Sequence, residues 1–212
     1  MTAPFIVFEG PEGAGKSGQV ARLAERLRSD GRSVVVTREP GGTPIGERIR
    51  DHLLRPGLEV PPVTELLLFG AQRSAHVELV VRPALARGDI VLSDRYALST
   101  LIYQGVARGL DVEMIRSTTA IATGGLEPDL YLILDVDPEV GRSRQVSSGA
   151  APDRIEREDL AFMERVRAGY RDYAAANAHA ELVDASATPD TVAAAILTVV
   201  TARIPEWGSS GQ

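Results

Sequence analysis

Of the 23 basic residues in this chain, 22 are arginine, and the single lysine, Lys16, lies inside Gly10-Pro11-Glu12-Gly13-Ala14-Gly15-Lys16-Ser17. That octapeptide fills every position of the G-x-x-x-x-G-K-[ST] pattern, a loop whose backbone N–H groups cradle nucleotide phosphates. Arginine serves every other cationic need, so the lysine marks a place where a planar fork does not substitute for a compact ammonium on a flexible stem. In such a loop Lys16 meets the β and γ phosphates, the N-terminus of the following helix adds partial positive charge, and Ser17 is placed to ligate Mg²⁺.

Four further clusters could carry chemistry. Thr37 to Thr43 holds a Pro-Gly-Gly turn that lets backbone approach a ligand, with Arg38, Glu39 and, one helical stretch on, Arg50 around it; a solvated surface turn has the same composition. Phe69 and Arg73 are four apart in a helical pattern, so a ring and a guanidinium share a face, suited to stacking on a base or equally to packing. Asp89 to Tyr96 is an apolar strand ending in Asp94 and Arg95. At that place in a phosphate-loop protein an acid can hold Mg²⁺ through water and an arginine can clamp a phosphoryl group. Ser99, Thr100, Tyr103 and Gln104 then offer hydroxyls, a ring and an amide on neighbouring turns. Finally, Arg142, Arg144 and Arg154 surround Ser147-Ser-Gly-Ala-Ala-Pro152, the composition of a mobile flap that could close over polyphosphate.

These residues need a frame. Continuous apolar runs at Phe5 to Phe8, Ser33 to Thr37, Ile90 to Ser93, Leu130 to Asp135 and Leu182 to Asp184 predict five strands. Helical periodicity fills the gaps near 17–30, 44–54, 63–87, 97–105, 111–123, 138–147, 157–178 and 189–202. The alternation predicts an α/β fold of three layers: a parallel sheet with helices on both faces and ligands beyond the carboxyl ends of the strands. At 212 residues a single domain over 1–212 is expected, with the tail from 206 to 212 frayed. Cysteine is absent, which excludes disulfides and thiolate metal sites, and His52, His76 and His179 are scattered, so packing or surface roles are expected of them. A net charge of −6 argues against a general nucleic-acid surface. No apolar run has membrane-spanning length and the N-terminal stretch does not read as a signal peptide, so a cytoplasmic protein is expected.

Taken together, the clusters resemble the bacterial thymidylate kinases. The resemblance rests on Phe-Glu-Gly-Pro-Glu-Gly-Ala-Gly-Lys-Ser at 8–17, Thr-Arg-Glu-Pro-Gly-Gly-Thr at 37–43, Phe69 with Arg73, Ser-Asp-Arg-Tyr at 93–96, Tyr-Gln-Gly at 103–105, Pro-Asp-Leu at 128–130, Leu-Asp-Val at 134–136 and Asp-Arg-Ile-Glu at 153–156. It implies ATP and Mg²⁺ on the phosphate loop, Ser17 and Asp94 serving the metal, and dTMP opposite. Thymine would stack on Phe69 and take a bond from Arg73, Thr100 and Gln104 would read the base edge with Ser99 on the same wall, and Tyr103 would crowd a ribose 2′-hydroxyl. Arg95, Arg38 and Arg50 would hold the acceptor phosphate, with Glu12 and Glu39 near the sugar and metal. An acid inside the phosphate loop, here Glu12, goes in this family with a catalytic arginine in the lid, so Arg142, Arg144 and Arg154 would share the catalytic and adenine contacts. The resemblance also suggests a homodimer.

Two departures stand out: Gly18 replaces the usual threonine or serine, removing a hydroxyl expected near the α phosphate, and 145–151 has no basic residue. The activity implied is in-line transfer of the ATP γ-phosphoryl group to the dTMP phosphate. The rivals are a kinase for another nucleoside or nucleoside monophosphate and a module that binds ATP without transferring phosphate. A GTPase would need an Asn-Lys-x-Asp motif, for which no lysine remains.

Overall fold

The computed structural model of the chain describes residues 3–147, 149 and 151–204. Five strands, β1 (Phe5–Glu9), β2 (Val34–Arg38), β3 (Ile90–Asp94), β4 (Leu130–Asp135) and β5 (Ala180–Asp184), form one sheet in the order β2-β3-β1-β4-β5, with every pairing parallel. All five lie where the apolar runs place them, β5 beginning two residues earlier than the pattern indicates. Parallel neighbours need long crossovers, which helices supply.

The helices are α1 (Lys16–Ser29), α2 (Pro44–Leu54), α3 (Pro62–His76), α4 (Arg82–Ala86), α5 (Ala97–Thr100), α6 (Val112–Thr123), α7 (Pro138–Ser147), α8 (Leu160–Ala176) and α9 (Pro189–Arg203). Two π-helical stretches interrupt the expected regularity: Val77–Val81 joins α3 to α4, and Leu101–Ala107 continues α5. The segment expected as one helix over 97–105 is therefore a single α turn followed by a wider coil that carries Tyr103 and Gln104. Single π turns of this kind occur disproportionately at functional sites.

The three inner strands β1, β3 and β4 are buried on both faces, the edge strands β2 and β5 only in part, and side-chain alternation sorts the residues between two cores. Phe5, Val7, Val91, Tyr131 and Ile133 point to one core, closed by Tyr103 of the π segment and by Phe162, Val166 and Tyr170 of α8. Ile6, Phe8, Leu92, Leu132 and Leu134 point to the other, closed by α1 and α9. The central strand β1 sits between β3 and β4, so the loops leaving the carboxyl ends of β1 and β3 meet at the middle of one sheet edge. That crevice is where open α/β sheets bind ligands. The expected tail at 206–212 lies outside the described residues.

Candidate active site

The loop after β1 is shaped by glycine. Gly10, Gly13 and Gly15 have φ of 132°, 73° and 84°, a region costly for any residue with a Cβ. A Cβ on Gly10 would lie 2.3 Å from the Leu134 carbonyl oxygen and one on Gly13 2.2 Å from that of Gly141, so the loop is pressed against β4 on one side and α7 on the other. Gly15 precedes α1 without any side-chain cap, leaving the first N–H groups of that helix open to an anion.

Lys16 Nζ donates to the carbonyls of Gly10 and Pro11 at 2.9 and 2.7 Å. Burial, followed by repulsion from Arg95, pulls this amine down to about 8. Ser17 Oγ lies 2.5 Å from Asp94 Oδ2. A hydroxyl and a carboxylate oxygen are the hard donors Mg²⁺ takes, and no three His, Asp or Glu side chains converge among the described residues. A donor set this sparse fits an ion that retains water and substrate phosphate oxygens as its remaining ligands. Ser17 and Asp94 would hold it, and the bound ion would supply positive charge beside the phosphates.

A cavity of about 350 Å³ runs from this loop to the far side of the crevice. Its walls bring together Glu12, Lys16, Ser17, Arg38, Glu39, Arg50, Phe69, Asp94, Arg95, Ser99, Thr100, Tyr103 and Gln104, residues spread over nearly a hundred positions of sequence. Arg95 is the hub. It is the only non-glycine residue with positive φ among the described residues, at 72°, a strain on the order of 1 kcal/mol or more. Its N–H bonds to the Phe8 carbonyl at 2.8 Å and its own carbonyl accepts from Ser93 Oγ at 2.7 Å, so the sheet edge fixes the twist. The guanidinium then meets Glu12 at 2.5 Å and reaches Gly10 O, Ser99 Oγ, Tyr103 OH and Tyr170 OH.

Burial works against the charge of Arg95, yet Glu12 and its neighbours hold the guanidinium well above its ordinary value. Burial would raise Glu12; Arg95, Lys16 and the Tyr103 hydroxyl, which donates to it, override that and bring it below the ordinary carboxylate value.

Phe69 and Arg73 do not stand side by side on the wall. Phe69 lines the cavity, whereas Arg73 is 1% exposed and lies behind it. Its guanidinium donates to Glu39 at 2.8 Å, Thr100 Oγ1 at 3.0 Å and the Tyr96 carbonyl at 3.0 Å. Burial would raise Glu39, and Arg73 in first place, then His76 at 2.8 Å, brings it below the ordinary value. His76 is thus a packing histidine, its other nitrogen 2.7 Å from Thr37 Oγ1. Arg38 pairs with Glu47 at 2.9 Å, and Arg50 donates to the Pro40 carbonyl at 2.8 Å.

The three arginines expected to share the lid role are separated. Arg142 is exposed beside Pro11 and Glu12, and its side chain makes no hydrogen bond or ion pair among the described residues. Arg144 donates to the carbonyls of Ala185 at 2.9 Å, Ser186 at 3.2 Å and Gly13 at 3.4 Å, tying α7 to the loop after β5. Arg154 turns away from the cavity, donating to the Leu53 carbonyl at 2.7 Å and pairing with buried Glu65. Asp153, Ile155 and Glu156 of the same segment line the cavity instead.

Sequence reasoning missed several supports. Glu9, fully buried, accepts from Tyr96 N, Ser99 N, Ser99 Oγ and Tyr170 OH at 2.6–3.1 Å, capping α5, which has no cap of its own. An acid closing an otherwise apolar strand is a signal that could have singled it out. Tyr170 is 161 residues away and carries no such signal.

A phosphate-binding loop at the centre of a five-stranded parallel sheet, opening into a cavity that holds a second cluster of arginine, hydroxyl and aromatic groups, defines a P-loop kinase that acts on a small phosphorylated acceptor. The thymidylate kinase family model matches residues 8–196. Thymidylate kinases of Deinococcus radiodurans and Thermomicrobium roseum are 50% and 54% identical to the chain, each over 200 residues, covering 94% and 93% of it and 97% and 94% of those proteins. The crystal structure of thymidylate kinase from Ehrlichia chaffeensis superposes with a TM-score of 0.75 at 31% identity, covering 94% of this chain and 99% of that one. The chain belongs to the thymidylate kinase family.

Proposed function

We propose that the chain transfers the γ-phosphoryl group of ATP to the phosphate of dTMP, releasing ADP and dTDP. The observation that carries this reading is the single cavity joining Lys16 and Ser17 of the phosphate loop to Phe69, Arg95, Thr100, Tyr103 and Gln104. An oxygen of the acceptor phosphate attacks the γ phosphorus while the bond from that phosphorus to the β–γ bridging oxygen breaks. The acceptor is already an anion, so no general base is required, and catalysis lies in aligning two repelling groups and offsetting their charge.

In this assignment the loop from Gly10 to Ser17 and the N-terminus of α1 hold the ATP phosphates. Arg95, with Arg38 and Arg50, receives the acceptor phosphate, and Glu12 gives up its place on Arg95 when that phosphate enters. Phe69 stacks on the base, Thr100 and Gln104 read its edge with Arg73 acting from behind Thr100, and Tyr103 and Ser99 line the sugar side. Glu39 orients Arg73. Arg142, whose side chain has no hydrogen-bond or ion-pair partner among the described residues, is the lid arginine available to the transferring group, while Arg144 serves the adenine side.

The whole of 1–212 is one domain with a lid over about 142–156, working in the cytoplasm. It acts as a homodimer through the apolar rows that α3 and α6 leave exposed, among them Leu67 and Ile121. Sedimentation velocity of Ile121→Glu, which should turn a dimer into a monomer, checks that assignment. The activity itself is tested by a coupled ADP-release assay over the nucleoside monophosphates, with and without magnesium. Magnesium-dependent turnover that favours dTMP is expected; no dTDP from dTMP and ATP would refute the assignment.

A further inference from the structure

A chain of contacts that the phosphoryl transfer does not use joins the base end of the cavity to the foot of the lid. At its centre is Glu65 of α3, which is 0% exposed. Its Oε1 accepts from Gln104 Nε2 at 2.7 Å and from Arg108 Nε at 2.8 Å, and its Oε2 accepts from Arg154. Arg108 is in turn held by Glu158 at 2.8 Å and lies over the Phe162 ring at 5.1 Å. Glu65 thus takes three donors, two of them guanidinium groups that can only donate, so both of its oxygens serve as acceptors.

The Gln104 amide must therefore turn its NH₂ toward Glu65. Among the described residues this is the only hydrogen bond of that side chain, and Gln104 lines the cavity, so its carbonyl Oε1 is the atom presented there. A glutamine is ambiguous between donor and acceptor until a neighbour settles its orientation. Here the neighbour already accepts from two guanidinium groups, so it is the Gln104 NH₂ that faces it. Thr100 is polarised in the complementary sense: its Oγ1 accepts from Arg73, which leaves its hydroxyl proton to donate.

We propose that Glu65 is a positioning residue for base selection: by fixing the polarity of the Gln104 amide it makes the cavity require a ring N–H beside a carbonyl. That is the imide edge of thymine or uracil. Cytosine presents the opposite pair, a ring acceptor beside an amino donor, and leaves the Gln104 carbonyl facing a lone pair. The inference rests on the assignment of Gln104 and Thr100 to the base edge made above.

The test compares dissociation constants for dTMP and dCMP in the wild-type protein, Glu65→Gln and Glu65→Asp, with dTMP turnover measured on each. In E65Q a neutral amide can donate as well as accept, freeing Gln104 to turn, so the dTMP preference over dCMP should fall about tenfold or more, a hydrogen-bond mismatch being relieved. The loss should sit in the KM for dTMP, with kcat changed by no more than about threefold. E65D remains acceptor-only and should keep the preference. An unchanged preference in E65Q that still forms dTDP overturns the proposal. A wild-type protein that forms no dTDP would instead defeat the functional assignment.

Should E65Q fail to fold, nuclear Overhauser contacts in the wild-type dTMP complex decide. Gln104 amide protons close to the Arg108 Hε proton support the proposal, and the same protons close to the thymine ring overturn it.

Discussion

Lys16 concentrates the electrostatics of the donor side in one amine. Replacing it by alanine should lower turnover by roughly 10²- to 10³-fold, the loss seen when one preorganised donor to a developing charge is removed; thermal unfolding of the variant should stay cooperative. Its pH behaviour follows from the pull from 10.5 down to about 8. Between those values the unfolded chain carries a proton that the ATP-free native state lacks, so this group makes the protein more stable as pH rises through that window. Phosphate binding demands the ammonium form, so ATP affinity should weaken by up to about tenfold per pH unit above 8. Calorimetric titration from pH 7 to 10 checks this, and a flat profile would contradict it.

Gly18 is the second residue-scale prediction. A Cβ there meets nothing within 4 Å, and its φ is not among the positive values. Gly18→Thr should thus fit the first turn of α1, return a hydroxyl beside the phosphates and lower the KM for ATP. Loss of chain freedom in the unfolded state should add a few tenths to about 1 kcal/mol of stability. A higher KM in this variant would show that the space is needed by the nucleotide.

At the scale of elements, α7, proposed to open the lid, presents Arg142 and Arg144 in different directions because they are two positions, about 200° of turn, apart. Arg142→Ala should cut kcat by roughly 10²-fold with little change in the KM for ATP. Arg144→Ala should act mainly on that KM, since it frees α7 from the carbonyls of Ala185 and Ser186. Steady-state kinetics on the pair distinguishes them, and equal effects would remove the division of labour.

The capping of α5 by Glu9 gives a stability prediction. Glu9→Gln keeps the shape but supplies one oxygen where four donors converge, so it should cost on the order of 2 kcal/mol. In a protein of this size that is a fall of roughly 4–8 °C in melting temperature, readable by calorimetry.

The sequence made the five strands and the phosphate loop legible because they depend on local signals: apolar runs and a glycine spacing that only one backbone path satisfies. It also made the cavity residues recognisable as clusters. What it hid were the partners. Glu65, Glu9 and Tyr170 act through contacts spanning 39 to 161 residues, and Arg154 is diverted from its expected role by an acid that no periodicity connects to it. The π stretch at Leu101–Ala107 was hidden for another reason, since one extra residue in a turn leaves too short a pattern to tell from an ordinary helix.

Across the whole molecule, the buried charged groups Glu9, Lys16, Glu39 and Arg73 lie with partly buried Glu12 and Arg95 around the phosphate-loop cavity, and buried Glu65 stands at its base end. Such a concentration fits a protein that is stabilised when nucleotides enter. Saturating ATP and dTMP together, at about 100 times their dissociation constants, should each add about 2.7 kcal/mol by mass action, seen as a rise in melting temperature. A pair that adds little more than one nucleotide alone would show that the two sites exclude each other.

The arginine-for-lysine usage has one practical consequence. Apart from the α-amino terminus, Lys16 holds the only primary amine in the chain, and its depressed pKa leaves a large fraction unprotonated and nucleophilic in mildly alkaline buffer. An acylating reagent therefore has one internal address, the donor site itself. Mass spectrometry of the labelled protein would read occupancy by ATP directly, as protection of a single peptide, with no engineered probe.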